Sequence, residues 1–188
     1  MEHINYQLFN FINGFAGSNH FFDRIMVILA NYMPVVFALY LLYLWFYKDK
    51  QIALYAGYSF TLGLTINFLI SLFYFHPRPY MIGMGKLLSP HSPDTSFPSD
   101  HTTLMLSIAF ALLYFKKTRI AGIILSVLGI IGGICRIYIG VHFPLDIAGS
   151  FAVSIISSFL IYYFKDTFKQ LNKVFIKFYE DSTTHLRH

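Results

Sequence analysis

Apolar residues run through this chain in long blocks, and the polar residues are confined to the gaps between them. Five blocks fall at roughly residues 22–46, 52–75, 100–115, 120–140 and 144–164, each at or near the ~20 helical residues that a hydrocarbon core requires. The third reaches that length only with its polar first turn included. The gaps hold Lys48-Asp49-Lys50, a long loop from His76 to Pro98, Lys116-Lys117-Thr118-Arg119, and a short turn from Arg136 to Phe143. The pattern predicts an all-α integral membrane helical bundle with five transmembrane helices.

Two flanking segments have a different period. Ile4, Leu8, Phe11, Ile12 and Phe15 recur at helical spacing, with Asn5, Asn10 and Asn13 elsewhere on the wheel. A short amphipathic helix is expected over residues 4–17, lying on the outer surface or dipping in as a sixth helix. In the tail, Lys165, Lys169, Lys173 and Lys177 form a basic stripe beside Phe168, Leu171, Val174, Phe175 and Phe178. A basic amphipathic helix of this kind lies on an anionic cytoplasmic leaflet. No repeat, low-complexity tract or linker interrupts the chain, so residues 1–188 read as a single domain.

Composition narrows the class. Hydrophobic residues make up 56% and charged residues 12% of 188 positions, against about 25% charged in soluble domains. The mean hydropathy is +0.55. With 23 charged side chains against 36 aromatic ones, a water-facing surface cannot be covered. That excludes a cytosolic enzyme, a disordered chain and a nucleic-acid binder, despite a pI near 9.2. Charge placement then orients the bundle. If every block spans, Lys48, Lys50, Lys116, Lys117, Arg119, Lys165, Lys169, Lys173, Lys177 and Arg187 share one side, and only Arg24, Arg78, Lys86 and Arg136 the other. Positive residues favour the cytoplasmic side, so the 76–98 loop and the 136–143 turn are expected on the outer face, with the C-terminus inside. The lone Cys135 permits no intramolecular disulfide and no Cys-rich metal site. No basic region precedes the first apolar stretch, so a cleaved signal peptide is not expected.

Ionisable residues at membrane depth point to function, and here they gather in three segments on the expected outer face. His76-Pro77-Arg78-Pro79 ends the second block, its prolines holding Arg78 in extended backbone. Pro98-Ser99-Asp100-His101 precedes the third block; Ser99 sits where an N-cap belongs, and the free N–H groups of a helix start suit a phosphate. In the third segment Arg136 is followed by His142, Pro144 and Asp146. Pro144 suits the first helical position, leaving His142 just outside the helix and Asp146 in its first turn, within reach of one imidazole nitrogen. A carboxylate so placed fixes the tautomer and leaves the other nitrogen free to attack. Two histidines, two arginines, a phosphate-binding helix start and an orienting aspartate suit phosphoryl transfer without a metal or other cofactor. A facial triad of His101, His142 and Asp146 is disfavoured because the flanking arginines repel a cation.

These residues resemble the signature segments of the type 2 phosphatidic acid phosphatase superfamily: Lys-x6-Arg-Pro, then Pro-Ser-Gly-His, then Ser-Arg-x5-His-x3-Asp. The first survives as Arg78-Pro79, the second as Pro98-Ser99-Asp100-His101, and the third as Arg136, His142 and Asp146. The resemblance covers about residues 50–165. Within the superfamily, the Ser-Phe-Pro-Ser-Asp-His-Thr-Thr phrase, the Pro-Arg-Pro turn and the short N-terminal segment are similar to the bacitracin-resistance type of undecaprenyl pyrophosphate phosphatase. That resemblance implies hydrolysis of a C55 polyprenyl diphosphate carrier to its monophosphate on the outer membrane face. It also implies His142 as nucleophile, Asp146 orienting it, His101 as general acid, and Arg78, Arg136 and Ser99 holding the phosphate.

Three departures stand out. Ser71 occupies the position of the family lysine, so one phosphate cation is missing; Lys86, in the same loop, is the expected substitute. Asp100 replaces the family glycine beside the phosphate-binding segment, where it caps the helix or raises the basicity of His101. Cys135 replaces the family serine. The motifs read a phosphate and not a lipid, so a phosphatidate or phosphatidylglycerophosphate phosphatase and a non-catalytic lipid-binding membrane protein stay open as alternatives.

Overall fold

A computed structural model describes residues 2–185; Arg187, one of the cations used to orient the chain, lies outside them. The described residues form α1 (Glu2–Asn13), α2 (His20–Tyr43), α3 (Lys50–Phe73), α4 (Asp100–Leu113), α5 (Arg119–Tyr138), α6 (Pro144–Tyr163) and α7 (Lys165–His185). A π-helical turn, Leu44–Lys48, extends α2, and a 3-10 turn, Pro79–Ile82, follows α3.

Four of the five apolar blocks form helices long and apolar enough to cross a membrane: His20–Lys48, Lys50–Phe73, Arg119–Tyr138 and Pro144–Tyr163. Their side chains are sorted inside out relative to a soluble bundle. On α5, Gly122, Gly129, Gly132 and Gly133 face inward while Ile120, Ile123, Ile124 and Val127 are exposed. On α6, Ser150, Ser154, Ser157 and Ser158 are buried while Phe151, Ile155, Ile156 and Phe159 are exposed. Small residues between helices with large apolar ones outside are the arrangement of a bundle solvated by lipid. The chain is a multi-pass membrane protein.

The third block behaves differently. Its helix, α4, has 14 residues and a length of about 21 Å, short of a hydrocarbon core. It does not need to meet lipid, because α3, α5 and α6 enclose it, with α2 also in contact. Met105, Leu106, Ile108, Ala109 and Leu112 are buried with Thr102, Thr103 and Ser107. Close approach comes from small partners. A Cβ on Gly63 of α3 would lie 2.7 Å from the Ser107 hydroxyl, and Ser107 hydrogen-bonds Ser157 of α6 at 3.1 Å. The central helix therefore starts within the bundle, and so do the residues at its N-terminus.

The two ends of the bundle are tied differently. At one end Lys117 pairs with Asp49 at 2.9 Å, and α7 docks through Asn172, which accepts from Tyr58 and donates to Gln51, both at 2.9 Å. Leu171, Val174, Phe175 and Phe178 of α7 remain exposed beside Lys169, Lys173 and Lys177. At the other end α1, about 18 Å long and too short to span, turns Ile4, Leu8 and Phe11 outward, with Phe15 exposed just after it. Its inner face is Asn5, Phe9 and Asn13. The Asn13 amide donates to the carbonyls of Lys86 (2.9 Å) and Tyr138 (2.7 Å) and accepts from the Lys86 N–H (2.7 Å), while Asn5 accepts from Leu145 N–H at 3.0 Å. Of the apolar stripe read from the sequence, Ile12 packs inward and the rest faces outward; Asn5 and Asn13 stitch α1 to the turn between α5 and α6, while Asn10 is exposed.

Candidate active site

Three short segments meet at the α1 end. The loop after α3 is clasped at its base: His76 N–H donates to Thr95 Oγ1 at 3.0 Å, and Ser96 N–H to the His76 carbonyl at 2.7 Å. Pro77 and Pro79 keep the backbone between from continuing the helix, and Arg78 is extended at φ −72°, ψ 155°. The start of α4 is capped by Ser99, whose hydroxyl accepts from Thr102 Oγ1 at 3.1 Å. The turn between α5 and α6 is tight because Gly140 takes a left-handed φ of 84° and because a Cβ there would collide with the Lys86 carbonyl. It presents His142 just ahead of Pro144, the first residue of α6.

Between these segments lies a cavity of about 430 Å³. Arg78, His91, Asp94, Asp100, His101, Arg136 and His142 supply its charged and titratable lining, and Leu64, Phe68 and Ser71 of α3 form part of the wall. Each arginine points a guanidinium N–H at an imidazole. Arg78 Nη1 is 3.2 Å from His142 Nε2 and also donates to the Val141 carbonyl at 2.8 Å. Arg136 Nη2 is 3.3 Å from His91 Nε2, and its Nη1 donates to Asn31 Oδ1 at 3.2 Å. Guanidinium only donates, so both Nε2 atoms accept and both imidazoles carry their proton on Nδ1. Burial holds His142 down to about 4, reinforced by Arg136 and Arg78 and opposed by Asp146. His142 is therefore neutral near pH 7, with its Nε2 lone pair at the cavity wall accepting from Arg78.

Behind it sits Asp146, fully buried. Its Oδ2 accepts from the Phe143 N–H at 2.7 Å and from the Ser96 hydroxyl, and stands 3.4 Å from His142 Nδ1. That last contact is longer than a well-formed hydrogen bond, and His142 Nδ1 is buried with no hydrogen-bond partner among the described residues. The other oxygen, Oδ1, lies 3.1 Å from His76 Nδ1. One carboxylate thus bonds an imidazole, a hydroxyl and a helix-start N–H, with the His142 ring beside it. Phe143, packed between Tyr6 and Phe9 of α1 at 5.3 and 5.2 Å, fixes the backbone on which His142 is carried.

The expected residues distribute as follows. Arg78, Asp100, His101, Arg136 and His142 share the cavity, and Asp146 backs His142. Ser99 is fully buried and is not part of the lining; its hydroxyl is engaged with Thr102. Asp100 lines the cavity, its carboxylate accepting from Asn67 at 2.8 Å. Lys86 is not the substitute for the missing lysine. Its ammonium donates to the Ala16 carbonyl at 2.8 Å, which ties it to the segment after α1. Cys135 is buried, its sulfur 3.8 Å from that of Met26. Sequence reasoning assigned no role to His76, His91, Asp94 or Ser96. His76 adjoins the Pro-Arg-Pro turn, a position that marks it in hindsight; the other three carry no spacing signal, because a loop closes them onto the site.

Comparison with known proteins identifies the family. Residues 52–170 match the PAP2 superfamily. The chain is 40% identical, over 94% of its length and 92% of the relative's, to a Bacillus subtilis protein named undecaprenyl-diphosphatase BcrC. It is 31% identical, over 85% of its length and 80% of the relative's, to a Bacillus licheniformis protein named bacitracin transport permease protein BcrC. The crystal structure of Aquifex aeolicus LpxE superposes with a TM-score of 0.73 at 29% identity, covering 85% of this chain and 95% of that one. With its motif residues gathered on one cavity and the family match spanning most of the bundle, this chain belongs to the PAP2 superfamily.

Proposed function

We propose that the protein hydrolyses undecaprenyl diphosphate to undecaprenyl phosphate and inorganic phosphate, recycling a cell-wall lipid carrier and thereby conferring bacitracin resistance. The observation that carries this reading is the convergence of two arginines and two histidines on one cavity, in a chain 40% identical to an undecaprenyl-diphosphatase. Arg78 and Arg136 bind the terminal phosphoryl oxygens. His142 Nε2 attacks the terminal phosphorus, and the bond to the bridging oxygen breaks with its electron pair leaving on that oxygen. His101, which takes a proton from solvent as the diphosphate enters, gives it to the bridging oxygen. Water, deprotonated by the same imidazole, then attacks the phosphohistidine and releases phosphate. Fixed guanidinium charge stabilises the equatorial oxygens in both steps. Phosphate release by the purified protein, compared across polyprenyl diphosphate, phosphatidate and phosphatidylglycerophosphate, tests the assignment. The diphosphate is expected to be the best substrate by kcat/KM; preference for either glycerolipid selects a different lipid phosphatase, and no release from any of the three indicates a lipid binder.

The ten-to-four distribution of basic residues supports a site at the outer membrane face with α7 at the cytoplasmic leaflet. Ser92, exposed in the 76–98 loop, is the reporter. Ser92→Cys on a Cys135→Ser background is expected to react with an impermeant thiol reagent in intact cells. Reaction only after lysis reverses the orientation.

A further inference from the structure

The family pattern puts a lysine where this chain has Ser71, and the missing charge must be supplied elsewhere. Ser71 lines the cavity, and its hydroxyl is spent on the Phe68 carbonyl at 2.7 Å. Lys86 is held at Ala16. Among the described residues of the cavity wall, one basic group remains that the catalytic sequence does not use: His91. It hangs from the loop between Arg78 and Ser99, with its backbone carbonyl accepting from the Tyr80 hydroxyl at 3.1 Å. Its Nε2 is 3.3 Å from Arg136, and its ring centroid is 6.5 Å from that of His142.

We propose that His91 is a phosphate-binding residue of this site, occupying the charge role of the absent lysine and taking part in recognition of the diphosphate. The inference rests on the proposed diphosphatase reading. The arrangement at rest explains how an imidazole can do this. Without substrate, His91 is neutral: burial and the charges of Arg78 and Arg136 hold it down to about 4 against the pull of Asp94. A phosphate oxygen entering between the guanidiniums takes up the Arg136 N–H that now faces Nε2. The freed nitrogen then faces an anion instead of a cation, takes a proton from solvent through the open side of the cavity, and donates an N–H to the phosphate. The charged and titratable groups that face it are Arg78, Asp94, His101, Arg136 and His142; the two arginines oppose that proton at rest and are neutralised by the same ligand. A lysine at position 71 would be charged before and after binding. An imidazole acquires its charge only with the ligand.

His91→Ala is the direct test, measured with polyprenyl diphosphate. KM is expected to rise about 10- to 100-fold with kcat within about threefold, since a charge-assisted contact made equally in ground and transition states is lost. The ratio of variant to wild-type KM should shrink as pH rises from 6 to 8, because the wild-type contact needs a proton that becomes scarcer. Ser71→Lys added to His91→Ala, restoring the family's lysine, is expected to recover most of the KM and to do so without that pH dependence. A KM within twofold of wild type in His91→Ala overturns the proposal, as does a folded double variant that recovers nothing. Wild-type protein that releases no phosphate from the diphosphate instead overturns the functional reading on which it rests.

Discussion

Changing His142 to glutamine abolishes turnover, lowering kcat by at least about 10⁴-fold. Glutamine has no nitrogen able to attack phosphorus, while Arg78 and Arg136 still bind the lipid. On rapid quench the wild-type protein should yield an acid-labile, alkali-stable phosphoprotein that this variant lacks. Vanadate, which adopts the five-coordinate geometry of the transfer, should inhibit the wild type. A chelator should not, because two guanidiniums provide the fixed positive charge. The pH profile carries the same assignment. His142 is held near 4 by burial, below the 6.5 of a free histidine. As pH falls through the lower value, Nε2 takes a proton, the lone pair is lost and activity drops. The acidic limb of kcat/KM, corrected for ionisation of the diphosphate itself, should therefore lie well below 6.5. A midpoint that stays at 6.5 contradicts the burial argument, and near-normal turnover in His142→Gln contradicts the mechanism.

The second large effect is expected at Asp146. Replacing it with asparagine keeps the shape of the side chain and one acceptor for the Phe143 N–H. It removes the negative charge that stands behind His142 Nδ1–H and, with its oxygen kept on the Phe143 N–H, turns its own N–H toward His76. Loss of about 10³- to 10⁴-fold in kcat follows, the scale found when a buried orienting aspartate is neutralised beside a catalytic histidine. KM should change little. The companion change His76→Ala should cost far less, because Ser96 and the Phe143 N–H still hold the carboxylate in place. Equal losses in the two variants would mean that His76, and not His142, is the imidazole Asp146 serves.

What could be read from the sequence followed from local chemistry. Long apolar runs must become helices in lipid, where every backbone group is satisfied within its own segment. Pro144 and Asp146 mark a helix start wherever they occur, so the geometry behind His142 was readable before any fold was known. The third apolar run was harder. Its shortness makes sense only when α4 is enclosed by protein, and enclosure is a tertiary fact. The failure at Lys86 has a similar origin. Loop position suggested a phosphate ligand, but α1 returns to the same end of the bundle and offers the Ala16 carbonyl. His91 and Ser96 were invisible because a loop more than twenty residues long has no period from which side-chain direction can be inferred.

The inner face of α1 has a bearing on how the protein is made. Asn5 and Asn13 find partners at Leu145 and Tyr138, 140 and 125 positions further along the chain. A ribosome delivers α1 first and α5 and α6 much later. In the interval the helix has its exposed isoleucine, leucine and phenylalanine side chains to rest on the bilayer, and interfacial water for its asparagines. Only when α6 is inserted can Phe9 close over Phe143. Catalytic competence thus arrives late in biogenesis, and a chain stalled before α6 carries His142 with no Asp146 behind it.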